Sequence, residues 1–409
     1  MKIGYINFGA EEKNNLYKVI QSIRDHHAID ELGIGRIRDA FSNKMFPGMS
    51  VLQGRAKYFV LLPALYLEAE KAHYKTVEEV RRKVLDMEIK LTRQLLNGTP
   101  RPEDQLSITG SSMIDKAEKN SSQYVKYDPS YIYWGGLVTY GFVKTNGSVY
   151  RLIFERSLAR HNSPQKYYRD EESEITDSTD LSGTIQLFDT GGLKYIFDGK
   201  TPINIFLTKE EAEFLKRRIE LSENSKDSLL AYLLNNDIPL VDNFQELRQV
   251  WNELPESYLY TYSLSARFSR YIYLLRIFYN YLYDKRTATE ELANSQLQDY
   301  LDYYNEHKAE FTEIAMAEIL KYVDEDVSDM AVKKFCLQTA KCVDEGDLET
   351  LEELIISREK ATKGWSRAKL TNWEKYTGIP HTSAFFLDYR WSLVYKMINE
   401  IKRGLEYGS

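Results

Sequence analysis

Residues 264–285 read LSARFSRYIYLLRIFYNYLYDK. Apolar and aromatic side chains fall on every side of a helical projection of this stretch, so no face is left for water and the segment predicts a buried core helix. Such a helix needs others around it. From residue 226 to the end the pattern is almost wholly helical, and residues 226–409 are expected to form a helical C-terminal domain.

Towards the N-terminus the pattern changes. TIQLFD and LKYIFD flank Thr190-Gly191-Gly192, and INIFL follows at 203–207, so three short strands are expected before a helix capped by Thr208 and Glu211. This predicts a small α+β module over 183–225. Residues 159–182 are acidic and rich in Ser and Thr, the composition of a linker or surface loop. Residues 107–158 carry two short helices, SITGSSMIDKAEKN and PSYIYWGGLVTYG, and then two strands about Asn146-Gly147. Helix, helix, hairpin is the order of a winged helix, whose second helix enters a DNA groove. Residues 1–106 hold one amphipathic helix over 11–29 and another opening at Thr76, with Glu79 three residues on, and stopping at Asn97-Gly98. The expected fold class is α+β but mostly helical, with winged-helix-like modules and a helical C-terminal region.

Composition narrows the function. The 409 residues allow two or three cores, and 28% charged with 43% hydrophobic residues is globular composition. The longest apolar run, Tyr58 to Tyr66, is far short of the roughly 20 residues of a membrane span. No charged-then-apolar leader precedes a cleavage site, so a cytoplasmic protein without a membrane partner is expected. Cys336 and Cys342 fit neither a disulfide framework nor a zinc module. No phosphate-binding glycine loop, HExxH, paired CxxC or GxSxG occurs, so no nucleotide cofactor, no metal site and no serine-hydrolase elbow is expected. Glu88-Ile-Lys90 matches the tail of a nuclease pattern but lies in a helix.

The formal charge of −7 hides segregation. Residues 32–66 hold Arg36, Arg38, Lys44, Arg55 and Lys57 against Asp39 alone, and 262–286 hold Arg267, Arg270, Arg276, Lys285 and Arg286 against Asp284. Residues 358–375, which include Arg367 and Lys369, hold six basic groups against Glu359 and Glu374. Acids gather elsewhere, six of them over Asp170–Asp180 and eleven over Glu290–Asp326. Three basic stretches on one face would bind a polyanion despite the net charge, because local potential governs such binding.

The densest chemistry lies between Asp30 and Tyr66. Gly33, Gly35, Gly48 and Gly54 let backbone approach a ligand, Arg36, Arg38, Arg55 and Lys57 supply charge, and Asp39, Gln53 and Asp30 supply acid–base or polar groups. Asp39 either holds a water for attack on a cationic sugar carbon or pairs with Arg38.

The run ELGIGRIRDAFSNKMFPGMSVLQGRAKYFVLLPALY, at 31–66, resembles a bacterial family long known only as a domain of unknown function. Further matching stretches are PSYIYWGGLVTYGF at 129–142, SARFSRYIYLLRIFYNYLYDK at 265–285 and LDYRWSLVYKMI at 387–398. The resemblance implies antiphage defence by DNA glycosylases that excise glucosylated hydroxymethylcytosine and leave abasic sites. RAKYFVLLPALY is also similar, more weakly, to the winged-helix alkylpurine glycosylases. Those carry Gln-x-Gln or Gln-x-Asp shortly before the run, where this chain has Phe46-Pro47-Gly48, so their catalytic residues do not transfer.

On that resemblance the partner is double-stranded, modified phage DNA and no cofactor is required. A carboxylate or amide near C1′ stabilises an oxocarbenium-like sugar and orients water, for which Asp39, Gln53 and Asp30 are the candidates. The base must leave the stack, and Tyr58, Tyr133 and Trp134 are the expected base pocket. Arg36, Arg38, Arg55, Lys57, Arg267, Arg270, Arg367 and Lys369 are the expected DNA contacts. The alternatives are a noncatalytic DNA-binding regulator and a metal-dependent nuclease.

Overall fold

The computed structural model describes residues 32–145, 147–162, 187–250 and 254–408. The helix expected over 11–29, Asp30, and most of the acidic linker lie outside them. The protein is mostly helical, and among the described residues there is no strand. It divides into two compact units, each built from separated stretches of chain: residues 1–42 with 253–389, and residues 43–252 with 390–409.

In the first unit the predicted core helix is present and runs from Glu256 to Thr287. Phe268, Ile272, Leu274, Leu275, Phe278 and Leu282 are buried on it, and the helix Glu290–His307 folds back along its side. Helices Glu313–Tyr322, Met330–Glu345 and Leu348–Lys363 follow as successive antiparallel neighbours. The helix Gly35–Met45 opens after Gly33, whose φ of +61° and closeness to the Arg358 guanidinium leave no room for a Cβ. Arg358 in turn donates to the Leu32 and Gly33 carbonyls at 2.7 and 2.9 Å.

In the second unit the core is the helix Tyr58–Ala69, in which Tyr58–Leu62, Leu65 and Tyr66 are wholly buried. An apolar helix carrying tyrosines must satisfy each hydroxyl. Tyr58 Oη accepts from the Thr109 N–H at 3.1 Å, and Tyr66 Oη donates to Ser130 Oγ at 2.9 Å. Around it pack Val77–Gly98, Pro129–Thr139, Val149–Asn162 and Lys209–Leu221. The expected caps hold: Thr76 Oγ1 accepts from the Glu79 N–H, and Thr208 with Glu211 forms a complete capping box.

The expected α+β character and the winged helix are corrected here. The second strand of the Asn146-Gly147 hairpin lies in the helix Val149–Asn162. Val149, Ile153 and Ser157 are its buried face, at a spacing of four that alternation in VYRLIF obscures. Residues 193–207 run as an irregular strap rather than strands. Their polar backbone finds partners on a helix: Gln94 Nε2 donates to the Ile196 and Thr201 carbonyls, both at 2.7 Å, and the Ile203 N–H donates to the Gln94 carbonyl at 3.1 Å. One buried amide thus replaces a ladder partner.

Glu88 is fully buried and accepts from the Ser130 N–H and hydroxyl at 2.6 and 2.8 Å. It secures the start of Pro129–Thr139, a structural use of the carboxylate that the nuclease pattern would need in a strand. No described helix is long and apolar enough to cross a membrane.

Candidate active site

On the core helix, Arg276, Tyr279, Asn280, Tyr283 and Asp284 follow the i, i+3, i+4, i+7, i+8 spacing of one face. Against that face lies the loop after Tyr376, tied down by Tyr283 Oη donating to the Ile379 carbonyl at 2.8 Å. This brings His381 to Asp284, with Nδ1 3.0 Å from each carboxylate oxygen. Asp284 is almost wholly buried, and a carboxylate oxygen accepts from the imidazole N–H. The pair therefore fixes the proton on Nδ1 and leaves the Nε2 lone pair outward. Nε2 has no hydrogen-bond partner among the described residues.

Two cavities meet at His381. One of about 50 Å³ is lined by Arg276, Tyr279, Tyr283, Lys369, Thr382 and Phe385. The other, about 510 Å³, is lined by Tyr273, Gln296, Asp299, Asp302, Tyr303 and Glu306. Asn280, His381, Ser383 and Ala384 belong to both walls. Asn280 is only 5% exposed and stands in the wall of both cavities. The Tyr303 hydroxyl is also buried and unpartnered, and burial pushes its ionisation upward, so it remains a donor.

The expected site residues fare differently. Asp39 lies on Gly35–Met45 with its carboxylate 3.2 Å from the Arg38 guanidinium, the pairing that was one of its two expected roles. Gln53 falls in the other unit and is buried there, its amide donating to the Gly48 carbonyl at 3.0 Å and accepting from the Ser50 N–H at 3.0 Å. Arg55, 6% exposed at its side chain, bonds Glu400 at 2.7 Å, Ser107 at 2.6 Å and Asp104 at 3.1 Å. Lys57 is buried against Glu211, and burial lowers its pKa while that carboxylate opposes the shift. These two cations face inward, which corrects their assignment as DNA contacts.

Tyr58 and Tyr133 are core aromatics with ring centroids 5.0 Å apart. Trp134 packs against Tyr66 and Phe188 and donates to the Gly147 carbonyl at 3.1 Å. The expected base pocket is thus filled by its own side chains. Arg36, Arg267 and Arg270 sit in part-exposed ion pairs with Asp329, Glu318 and Glu310. Arg367 is exposed, whereas Lys369 belongs to the smaller cavity beside His381. Asn280, Asp284 and His381 were missed by sequence reasoning. Their one signal is two polar residues four apart inside a helix too apolar to face water, which demands a partner from elsewhere.

A family model described as a family of unknown function (DUF6361) matches residues 1–167. That match contains Asp39 and the 31–66 motif and leaves the His381 site outside it. Neither the curated proteins nor the solved structures contain a match to this chain.

Proposed function

We propose that the protein is a DNA N-glycosylase that hydrolyses the bond between a modified cytosine and its deoxyribose, as an antiphage activity. The resemblance of the 31–66 motif suggests the reaction, and the observation that carries a hydrolytic mechanism is His381, oriented by buried Asp284 with Nε2 facing two cavities. Water donates a proton to Nε2 as its oxygen bonds to C1′. The C1′–N1 bond breaks, the departing base keeps the electron pair and takes up, through solvent, the proton that the His381 imidazolium releases, and the sugar retains the new hydroxyl as an abasic site. Asp284 stabilises the imidazolium that forms, and the Asn280 amide orients the water.

The part-exposed arginines supply the DNA contact in this reading. Exposed ion pairs contribute only about 0–1 kcal/mol, so Arg36, Arg38, Arg267 and Arg270 can exchange a carboxylate for a phosphate at little cost. His381→Gln and Asp284→Asn are the test, measured as base release per bound DNA. Loss of about 10²-fold or more in turnover with DNA retention unchanged is expected. Wild-type turnover by folded His381→Gln would remove His381 from the mechanism, and retention without any base release by the native protein would favour the regulator.

A further inference from the structure

In the second unit, the helix Pro129–Thr139 and the loop 47–53 enclose a cleft of about 640 Å³. That volume lies within the roughly 300–1,000 Å³ of small-molecule sites. Gln53 holds the two walls together, its Nε2 standing 3.0 Å from the Gly48 carbonyl and 3.4 Å from that of Ile132 on the helix. Of the described residues that line the cleft, none carries a charge. Tyr131 lines it too, 65% exposed and stacked on Tyr127 with centroids 4.8 Å apart and planes at 26°. We propose that this cleft binds one unpaired nucleobase of a nucleic-acid strand, stacked on the face of Tyr131 that Tyr127 leaves uncovered. The cleft lies in the other unit from His381 and needs no part of the glycosylase reading.

Two adjacent glycines inside a helix lower its stability, so each needs a reason. Gly136 has one in packing: a Cβ there would stand 2.6 Å from the Phe59 ring and 2.7 Å from the Gly48 carbonyl oxygen. Gly135 has none, since a Cβ there would meet no atom beyond its own stretch of helix within 4 Å. It lines the cleft, and its missing side chain leaves bare backbone over which a flat ring can lie. Residues 43–139 supply the whole lining but Asn224, so the cleft belongs to the stretch that the family model covers.

The lining selects its occupant by charge. An ion brought into an uncharged cleft gives up hydration that nothing there replaces, so phosphate, carboxylate and ammonium groups stay outside. The occupant is also flat, because Tyr127 and Tyr131 form a near-parallel stack that another ring extends. Its polar edge is met by Ser50, Asn224 and Thr139, whose hydroxyl donates to the Gly135 carbonyl at 2.8 Å and so offers its lone pairs to a ring amine. A neutral planar ring with donors and acceptors along its edge is what a nucleobase presents. The Lys126 ammonium lies 5.0 Å over the Tyr127 ring, which sets a cation beside the stack and outside the cleft, on the side where a strand carries its phosphates.

Deoxyadenosine, which has no phosphate, is the probe, titrated into the full chain by calorimetry and followed in the wild type by the Tyr131 ring resonances. Saturable binding and shifts are expected, with none from deoxyribose or glucose. Tyr131→Ala, at an exposed position, should weaken binding about tenfold through loss of one base–aromatic stack. Gly135→Leu should weaken it as much by filling the floor, with a melting temperature at or above that of the wild type. Equal affinity in folded Gly135→Leu, Tyr131 resonances unmoved by millimolar deoxyadenosine, or glucose bound in its place overturns the assignment. Should a variant fail to fold, the Tyr131 resonances of the native chain decide. Deoxyadenosine bound by a chain that releases no base upholds the cleft and defeats the glycosylase reading alone, whereas base release by a chain that ignores deoxyadenosine defeats the cleft alone.

Discussion

Arg55 and Lys57 carry the charge that a phosphate contact needs, and both direct it into the fold. Their motif looked like a ligand cradle because sequence shows charge and not the carboxylate that answers it: Glu400 lies 345 positions from Arg55, and Glu211 lies 154 from Lys57. Lys57→Met should therefore destabilise the protein by about 3–5 kcal/mol, by stranding buried Glu211, as read from denaturant midpoints. A variant as stable as the parent but with a shallower salt dependence of DNA binding would restore Lys57 as a DNA contact. Glu88 gives a second test. Burial, followed by the Asp128 charge, lifts its pKa well above the ordinary 4.5, so the folded state holds a proton that the unfolded chain releases. The carboxyl's contribution is most favourable below about 4.5 and is lost progressively as pH rises towards the folded value. Glu88→Gln carries no such proton, so its melting temperature relative to wild type should climb between pH 5 and pH 8. A pH-independent difference would show Glu88 to be ionised in the fold.

Elements were legible where a helix has its own start signal. Thr76 with Glu79 and Thr208 with Glu211 begin helices as read, and the apolar run at 264–285 is the core helix expected of it. The failures come from short β-branched stretches, where alternation and helical spacing agree over four or five residues. INIFL is extended in character, but its partner is a helix: the strap passes so near Gly98 that an added Cβ would stand 2.6 Å from the Ile203 nitrogen and closer still to its carbonyl oxygen. Alanine in a helix normally gains about 1 kcal/mol over glycine. At Gly98 the clash reverses that preference, and Gly98→Ala should lower the melting temperature by several degrees. A rise would mean that the strap yields freely.

Across the whole molecule, neither compact unit is continuous in sequence, and His381 reaches Asp284 over 97 positions. Spacing rules that act over a few residues give no view of such a pair. Segregated charge was visible, although partly answered: of the six basic groups in 358–375, Arg358 and Lys363 serve the interior. The remaining test of the basic face is Arg267→Ala with Arg270→Ala, which should reduce the log–log salt slope of DNA binding by up to about 2. An unchanged slope would leave both arginines as partners of Glu318 and Glu310 only.

Base release is the claim on which these assignments depend. Phage DNA bearing glucosylated hydroxymethylcytosine, and the same DNA unmodified, would be incubated with the purified chain and followed by mass spectrometry for free base and by aldehyde probes for abasic sites. The account predicts free modified base and abasic sites in equal amounts from the modified DNA alone, abolished by His381→Gln. DNA retained with every base in place, or strand breaks without abasic sites, would contradict it.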